Sequence, residues 1–132
     1  MIFENLRGSC VLLVGDDCLH TSDIADVMRT HESKVIGPFT DYESILRLLG
    51  DGAVDLALIE LGSDERTLAY DVADRLAEGG IPFLFVTSSD LPELPDRFHG
   101  VRCFLETGDP ATVPVALAIE SAKRFSSRRM NH

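Results

Sequence analysis

The sequence predicts a single α/β domain in which a parallel five-stranded sheet lies between two layers of helices. Short apolar runs alternate along the chain with stretches in which apolar residues recur every three or four positions. This alternation of strand and helix patterns is typical of parallel sheets. The length of 132 residues allows one domain with a substantial core, but it is too short for two ordinary domains. We expect the domain to span residues 1–125, followed by a flexible tail at 126–132.

Five apolar runs are the predicted strands, at residues 10–14, 34–37, 54–60, 81–86 and 101–105. The first, CVLLV, ends in Gly15-Asp16-Asp17 and has the composition of a buried strand followed by a turn. The second is expected to be an edge strand that closes at Gly37-Pro38, a dipeptide typical of turns. The fourth, IPFLFV, is the most apolar run of the chain and is expected to lie inside the sheet.

Helices are predicted between these strands. Residues 17–31 carry apolar side chains at helical spacing, and a second helix is expected to start at a cap, Thr40 or Asp41, and to run through Leu49. A third should start near Leu68 and end at Gly79-Gly80. The segment 91–98 contains two prolines, so any helix there should be short or irregular. A last helix is expected from a Thr112 cap to about residue 125.

Right-handed crossovers place helices on both faces of such a sheet, and the expected strand order is 2-1-3-4-5, a flavodoxin-like arrangement. The functional crevice then lies where the strand order reverses, at the carboxyl ends of the strands. Those ends lie side by side. They carry these residues: Asp16, Asp17, Glu60, Thr87 and Glu106.

This set of residues resembles that of the receiver domain of two-component response regulators. The resemblance extends from Val11 to Lys123. The resemblance implies that Glu60, in DLALIEL, stands where the family has its phosphoacceptor aspartate. It implies that Thr87, in FLFVTSS, is the switch hydroxyl. Gly15 and Asp16 hold the places of two adjacent acids, with Asp17 as a neighbour.

Two further positions differ from the family pattern. Glu106, in CFLETGDP, stands where the family has a lysine, and Cys103 stands where it often has an aromatic residue. The resemblance is therefore to an atypical member, a pseudo-receiver.

These differences predict that phosphoryl transfer to position 60 is inefficient. The reaction requires a divalent ion and a cation around the phosphoryl group, and here one acid is missing and the lysine is an acid. Two carboxylates about 4 Å apart repel by about 4 kcal/mol at an effective dielectric constant of about 20. The sequence does not firmly predict a cofactor. A weak Mg²⁺ site at Asp16 and Glu60 is one of the alternatives that it allows. Glu60 could instead mimic a phosphorylated aspartate with Thr87 as donor, or simply be a polar strand end.

We therefore expect a stand-alone, non-enzymatic signalling module that acts by protein–protein contact with a histidine kinase or a downstream effector. One alternative is a small flavodoxin-like domain that binds a ligand or metal, although no glycine-rich phosphate loop follows the first strand. Another alternative is a receiver phosphorylated at a different acid, such as Asp64 or Asp16.

The last predicted helix is apolar on more than one side, whereas a surface helix usually has one apolar stripe. The excess predicts an interface, for a partner or for a homodimer. Its expected members are Val115, Ala118, Ile119 and Ala122. Small alanines tolerated anywhere are the alternative explanation.

Composition limits the remaining function classes. The net charge of −10 disfavours direct nucleic-acid binding, because phosphate backbones require cations. No apolar run is long enough to span a bilayer, and no secretory pattern opens the chain, so a cytoplasmic protein without membrane partners is expected. The three cysteines lack CxxC spacing and the four histidines are dispersed, which argues against a zinc site or a disulfide framework.

Overall fold

The computed structural model describes residues 8–15, 19–61, 66–87, 94–105, 109, 111–117 and 119. Five strands form one parallel sheet in the order β2-β1-β3-β4-β5. The strands are β1 Cys10–Val14, β2 Lys34–Phe39, β3 Leu56–Glu60, β4 Phe83–Thr87 and β5 Cys103–Leu105. The predicted fold class and strand order are confirmed.

Helices connect the strands and cover both faces of the sheet. They are α1 Leu19–Thr30, α2 Tyr42–Gly50 and α3 Arg66–Glu78, then a 3₁₀ helix at Asp96–Phe98. A C-terminal helix is described at 112–117 and at 119. Within the described ranges, no helix has the length and apolar character needed to cross a membrane.

Strand β2 continues through Gly37-Pro38 to Phe39, so the prediction that it closes at this dipeptide is wrong. Because β2 is an edge strand, a proline whose missing N–H faces away from the ladder removes no hydrogen bond. The pairing shifts register between Leu12, opposite Ile36, and Val14, opposite Phe39. Gly37 absorbs the irregularity with φ of +104°, a conformation that residues with a Cβ rarely adopt.

The core consists of two layers because side chains alternate across the sheet. One face packs against α2, α3 and the 3₁₀ helix, and the other packs against α1 and the C-terminal helix. The first layer includes Leu12, Ile45, Ala57, Ile59, Val72, Leu76, Phe83, Phe85 and Phe98. The second includes Val11, Leu13, Ile24, Met28, Leu56, Leu58, Leu84, Val86, Val113 and Leu117.

Helix α2 begins at the predicted cap. The Asp41 carboxylate accepts a hydrogen bond from the Glu43 backbone N–H at 3.2 Å and from the Ser44 hydroxyl at 2.8 Å. These bonds satisfy donors that the first turn of a helix leaves without partners.

The entry to the C-terminal helix differs from the prediction. The carboxylate of Asp109 accepts from the Ala111 N–H at 3.0 Å, while the Thr112 hydroxyl donates to the Asp109 carbonyl at 2.8 Å. Thr112 therefore does not cap as an acceptor, and Asp109 supplies the acceptor instead. An aspartate that binds the N–H two residues ahead is a common way to open a helix.

The connection from β4 to β5 is irregular in its described part, as its prolines predict. Residues 94–102 contain the single 3₁₀ turn at Asp96–Phe98, and the ring of Phe98 is buried among Tyr70, Phe83 and Phe85. Arg97 holds the same turn to α3 through two hydrogen bonds to the Asp74 carboxylate, at 2.8 and 3.1 Å.

Candidate functional site

Glu60 lies at the carboxyl edge of the sheet, where it is the last residue of β3. It pairs with Val86 of β4, and the next residue, Leu61, donates its N–H to the Val86 carbonyl at 2.7 Å. On the other side of β3, Ile59 pairs with Val14 of β1, so Gly15 and Glu60 come at the same level of the sheet. The structure therefore brings the end of β1 next to Glu60, as the strand order predicts.

The Glu60 side chain is half-buried and lies on the α1 face of the sheet. Glu60, Val86 and Ile24 share the lining of a small cavity of about 10 Å³ with the β1 and β3 residues Leu13 and Leu58. A cavity of this size holds at most about one water molecule. This cavity is therefore too small for a phosphoryl group or any larger ligand.

Gly15 is in direct contact with the Glu60 stem. Its φ is +137°, and a Cβ placed on it meets Glu60 Cβ at 2.6 Å, Cδ at 3.4 Å and Cγ at 3.5 Å. Real Cβ atoms essentially never come closer than 3.0 Å to another atom. With this backbone conformation, position 15 has no space for a side chain. The resemblance predicts only that position 15 lacks an acid. The signal for this contact was a glycine at a place where the family has a carboxylate.

Magnesium is the ion that the resemblance implies, and of the two residues predicted to hold it, Asp16 and Glu60, the structure describes only Glu60. Mg²⁺ takes oxygen ligands in a near-octahedral shell. Position 15 supplies no carboxylate, and the described part of the chain contains no group of three or more His, Cys, Asp or Glu side chains that could hold a metal. Asp16, Asp17 and Glu106 lie outside the described residues, so their predicted roles stay predictions.

Thr87 ends β4 and is buried, with 4% of its surface exposed. It follows Val86, so strand alternation places it on the face shared by Phe83 and Phe85, opposite to the face of Glu60. No buried side-chain oxygen or nitrogen in the described ranges lacks a hydrogen-bond partner. The switch role assigned to this hydroxyl stays a prediction.

Cys103 is the first residue of β5 and is paired with Phe85. Although the residue as a whole is exposed, local burial of its sulfur raises the pKa of the thiol, and the thiol lies 3.9 Å from the Val101 carbonyl. A thiol that stays protonated at neutral pH is a weak nucleophile. Its equivalence to the family's aromatic residue stays a prediction.

The C-terminal helix has two apolar faces in its described part. Val113 and Leu117 are fully buried against the sheet. Val115, exposed by 38%, is the one large hydrophobic residue classed as exposed among those described. Together with neighbouring side chains it lines an open groove of about 430 Å³, whose walls are Leu84, Arg102, Cys103, Phe104, Ala111, Thr112, Val115, Ala116 and Ile119. Two predicted interface residues, Val115 and Ile119, therefore line the same groove. Ala118 and Ala122 lie outside the described residues.

Similar solved structures identify the fold. SdrG from Sphingomonas melonis Fr1 has a TM-score of 0.70 and 22% identity, and the match covers 86% of this chain and 95% of that one. A response regulator receiver protein from Sinorhizobium medicae WSM419 has a TM-score of 0.71 and 16% identity over 90% and 98% of the two chains. The chain has the receiver-domain fold. No family model and no curated protein sequence matches it.

The response regulator PhyR from Brucella abortus matches with a TM-score of 0.74 and 17% identity. The match covers 98% of this chain and 55% of PhyR, so the chain spans about half the length of that relative. At these identities the likeness establishes the fold alone.

Proposed function

We propose that this chain is a receiver-fold signalling domain that acts through protein contact and carries no phosphoryl group at position 60. The observation that carries the proposal is the environment of Glu60. It ends β3 at the functional edge of the sheet, and its stem lies over Gly15, where the family has an acid. Similarity to proteins described as response regulators supports a role in signal transduction.

The chemistry of the edge supports a phosphorylation-independent domain. Moving a phosphoryl group onto a carboxylate requires a divalent ion to neutralise converging oxygens and a second cation to hold the group. Position 15 offers no ligand, and the sequence has Glu106 where the family has its lysine. An acid in place of a base adds repulsion of about 4 kcal/mol for charges about 4 Å apart at an effective dielectric constant of about 20. That corresponds to roughly three orders of magnitude in affinity.

A phosphodonor experiment tests this proposal. The wild-type chain, Glu60→Gln and Glu60→Asp are each mixed with acetyl phosphate and Mg²⁺, and their intact masses are measured at once. A phosphorylatable receiver domain treated in the same way is the positive control. We expect no added phosphoryl group on any of the three proteins.

Two results contradict the proposal, and they differ in what they imply. An adduct on the wild type that disappears in Glu60→Gln shows that position 60 is the acceptor. An adduct that survives in Glu60→Gln assigns phosphorylation to another acid, and peptide mapping then decides whether Asp64 or Asp16 carries it.

The groove beside the C-terminal helix is the proposed contact face. Its walls are mainly apolar, and Val115 presents an exposed aliphatic side chain there, which is a common property of protein-interaction sites. The proposed partner is a signalling protein, either a kinase or a downstream effector, and a second copy of the chain is the simplest occupant to test. The net charge of −10 per chain opposes self-association at low ionic strength, so a dimer should strengthen as salt screens the repulsion.

A further inference from the structure

We propose that the free edge of β5 pairs with β5 of a second copy of the chain, antiparallel and centred on Phe104, so that two sheets join into one. The inference deepens the proposed function and rests on it, because it names the occupant of the contact face and the atoms that bind it. β5 is last in the sheet order and, in the described part of the chain, pairs only with β4. An edge strand presents backbone N–H and C=O groups that another strand can bind.

The pairing of β5 with β4 determines which backbone groups point outward. Phe85 of β4 lies opposite Cys103 and donates its N–H to the Arg102 carbonyl at 3.1 Å. In a parallel pair these bonds reach alternate residues of the neighbouring strand, so the backbone groups of Phe104 face β4. The backbone groups of Cys103 and Leu105 therefore face away from the sheet, where a new strand can bind them.

The described residues leave the edge of β5 accessible. Leu84, one strand further in, still lines the groove beside the C-terminal helix, so this helix does not fully cover β5. Strand alternation points Cys103 and Phe104 to opposite faces, yet both line the groove, which therefore reaches around the edge. The other edge strand differs, because β2 contains Pro38 and a register shift, and such features hinder strand pairing.

The register centred on Phe104 makes β5 complementary to itself. Cys103 of each copy lies opposite Leu105 of the other, and these pairs exchange about four backbone hydrogen bonds. The two Phe104 side chains face each other as an aromatic cross-strand pair. By sequence, the same register sets Arg102 against residue 106 of the other copy, a glutamate that lies outside the described residues. Opposite charges at both ends of the contact offset part of the repulsion between two chains of net charge −10.

A proline substitution tests the backbone pairing. Cys103→Pro removes an outward N–H and none that bonds to β4, and Cys103→Ser is the matched control that keeps this N–H. Light scattering gives the masses at high salt, where the repulsion between copies is screened, and circular dichroism confirms folding. We expect dimers for the wild type and Cys103→Ser, and half that mass for Cys103→Pro. A monomeric wild type, or a folded Cys103→Pro that is as dimeric as the wild type, overturns the proposal.

A disulfide test decides the register, even if Cys103→Pro fails to fold. In a Cys10→Ser/Cys18→Ser background, Leu105→Cys places the introduced thiol opposite Cys103 of the other copy. Their Cα atoms are then about 5.5 Å apart, within the disulfide range of roughly 4.4–6.8 Å. We expect oxidation to give a covalent dimer with Leu105→Cys and none in the background alone, where the two Cys103 residues are offset along the strands. No covalent dimer with Leu105→Cys, or an equal yield in the background, overturns the register.

These experiments separate the strand pairing from the proposed function. A phosphoryl adduct at position 60 would overturn the proposed function without changing the masses or the cross-links. A dimer that is lost in Val115→Glu but kept in a folded Cys103→Pro would leave the groove as the contact face and overturn the pairing of β5.

Discussion

Truncating Phe98 to alanine is the sharpest test of how the β4–β5 connection is held. Phe98 is 3% exposed and is the last residue of the 3₁₀ helix Asp96–Phe98 in the described part of this connection. Its ring centroid lies 5.5 Å from that of Phe85 and 5.6 Å from that of Tyr70. One aromatic side chain thus anchors an otherwise irregular segment to the core.

The magnitude follows from this environment. Removing a buried phenyl group from a packed core costs about 3–5 kcal/mol, because the transfer energy is lost and a cavity remains. A domain of this size is stable by only about 5–15 kcal/mol, so Phe98→Ala should remove at least about a fifth of the total. Phe98→Leu, which keeps most of the apolar volume, should cost about 1.5 kcal/mol.

Urea unfolding followed by circular dichroism measures both variants, and an unchanged m-value shows that the unfolded state is comparable. The chain has no tryptophan and two tyrosines. Tyrosine fluorescence therefore reports in part on Tyr70, whose ring stacks on Phe98. A loss below about 1 kcal/mol for Phe98→Ala, or an equal loss for Phe98→Leu, would refute the anchoring role.

Three further predictions concern other parts of the domain. Gly37→Ala should destabilise the fold by about 3 kcal/mol, because its Cβ would lie 2.6 Å from a backbone carbonyl oxygen. The control Gly50→Ala, whose Cβ would have no atom within 4 Å, should be neutral or slightly stabilising. A larger loss of stability in urea for Gly50→Ala than for Gly37→Ala would contradict this. A serine hydroxyl and a backbone N–H of α2 lower the pKa of Asp41, so its contribution is present above the unfolded pKa of about 3.9 and is lost as the pH falls through the lower folded pKa. Asp41→Asn should therefore lose less thermal stability than wild type between pH 6 and 3, and equal losses argue against it. We expect light scattering at high salt to show dimers for the wild type and for the control Ala53→Glu, but a monomer for Val115→Glu. An unchanged mass for Val115→Glu would exclude the groove as the dimer interface.

Much of the fold could be predicted because local patterns and topology rules agree. The bounds of β1 were predicted correctly from CVLLV, and Asp41 caps α2 as one of the two proposed residues. Alternation of strands and helices leaves few permissible topologies, and strand order then places Glu60 beside the end of β1. These features depend on nearest neighbours in sequence or on general handedness.

The errors arose where long-range contacts override local preference. Gly37-Pro38 has the composition of a turn, but its edge position in the sheet lets β2 continue to Phe39. The contact between Gly15 and Glu60 joins residues 45 positions apart, so no local pattern contains it. The resemblance to the receiver family indicated that an acid is absent at position 15, whereas the register of β1 against β3 showed that Glu60 lies beside that position.

The backbone at Gly15 also determines what a substitution there would require. At φ +137° an added Cβ would lie 2.6 Å from Glu60 Cβ, so any other residue at position 15 has to adopt a different φ. A change of this side chain is therefore also a change in the path of the chain at the carboxyl end of β1.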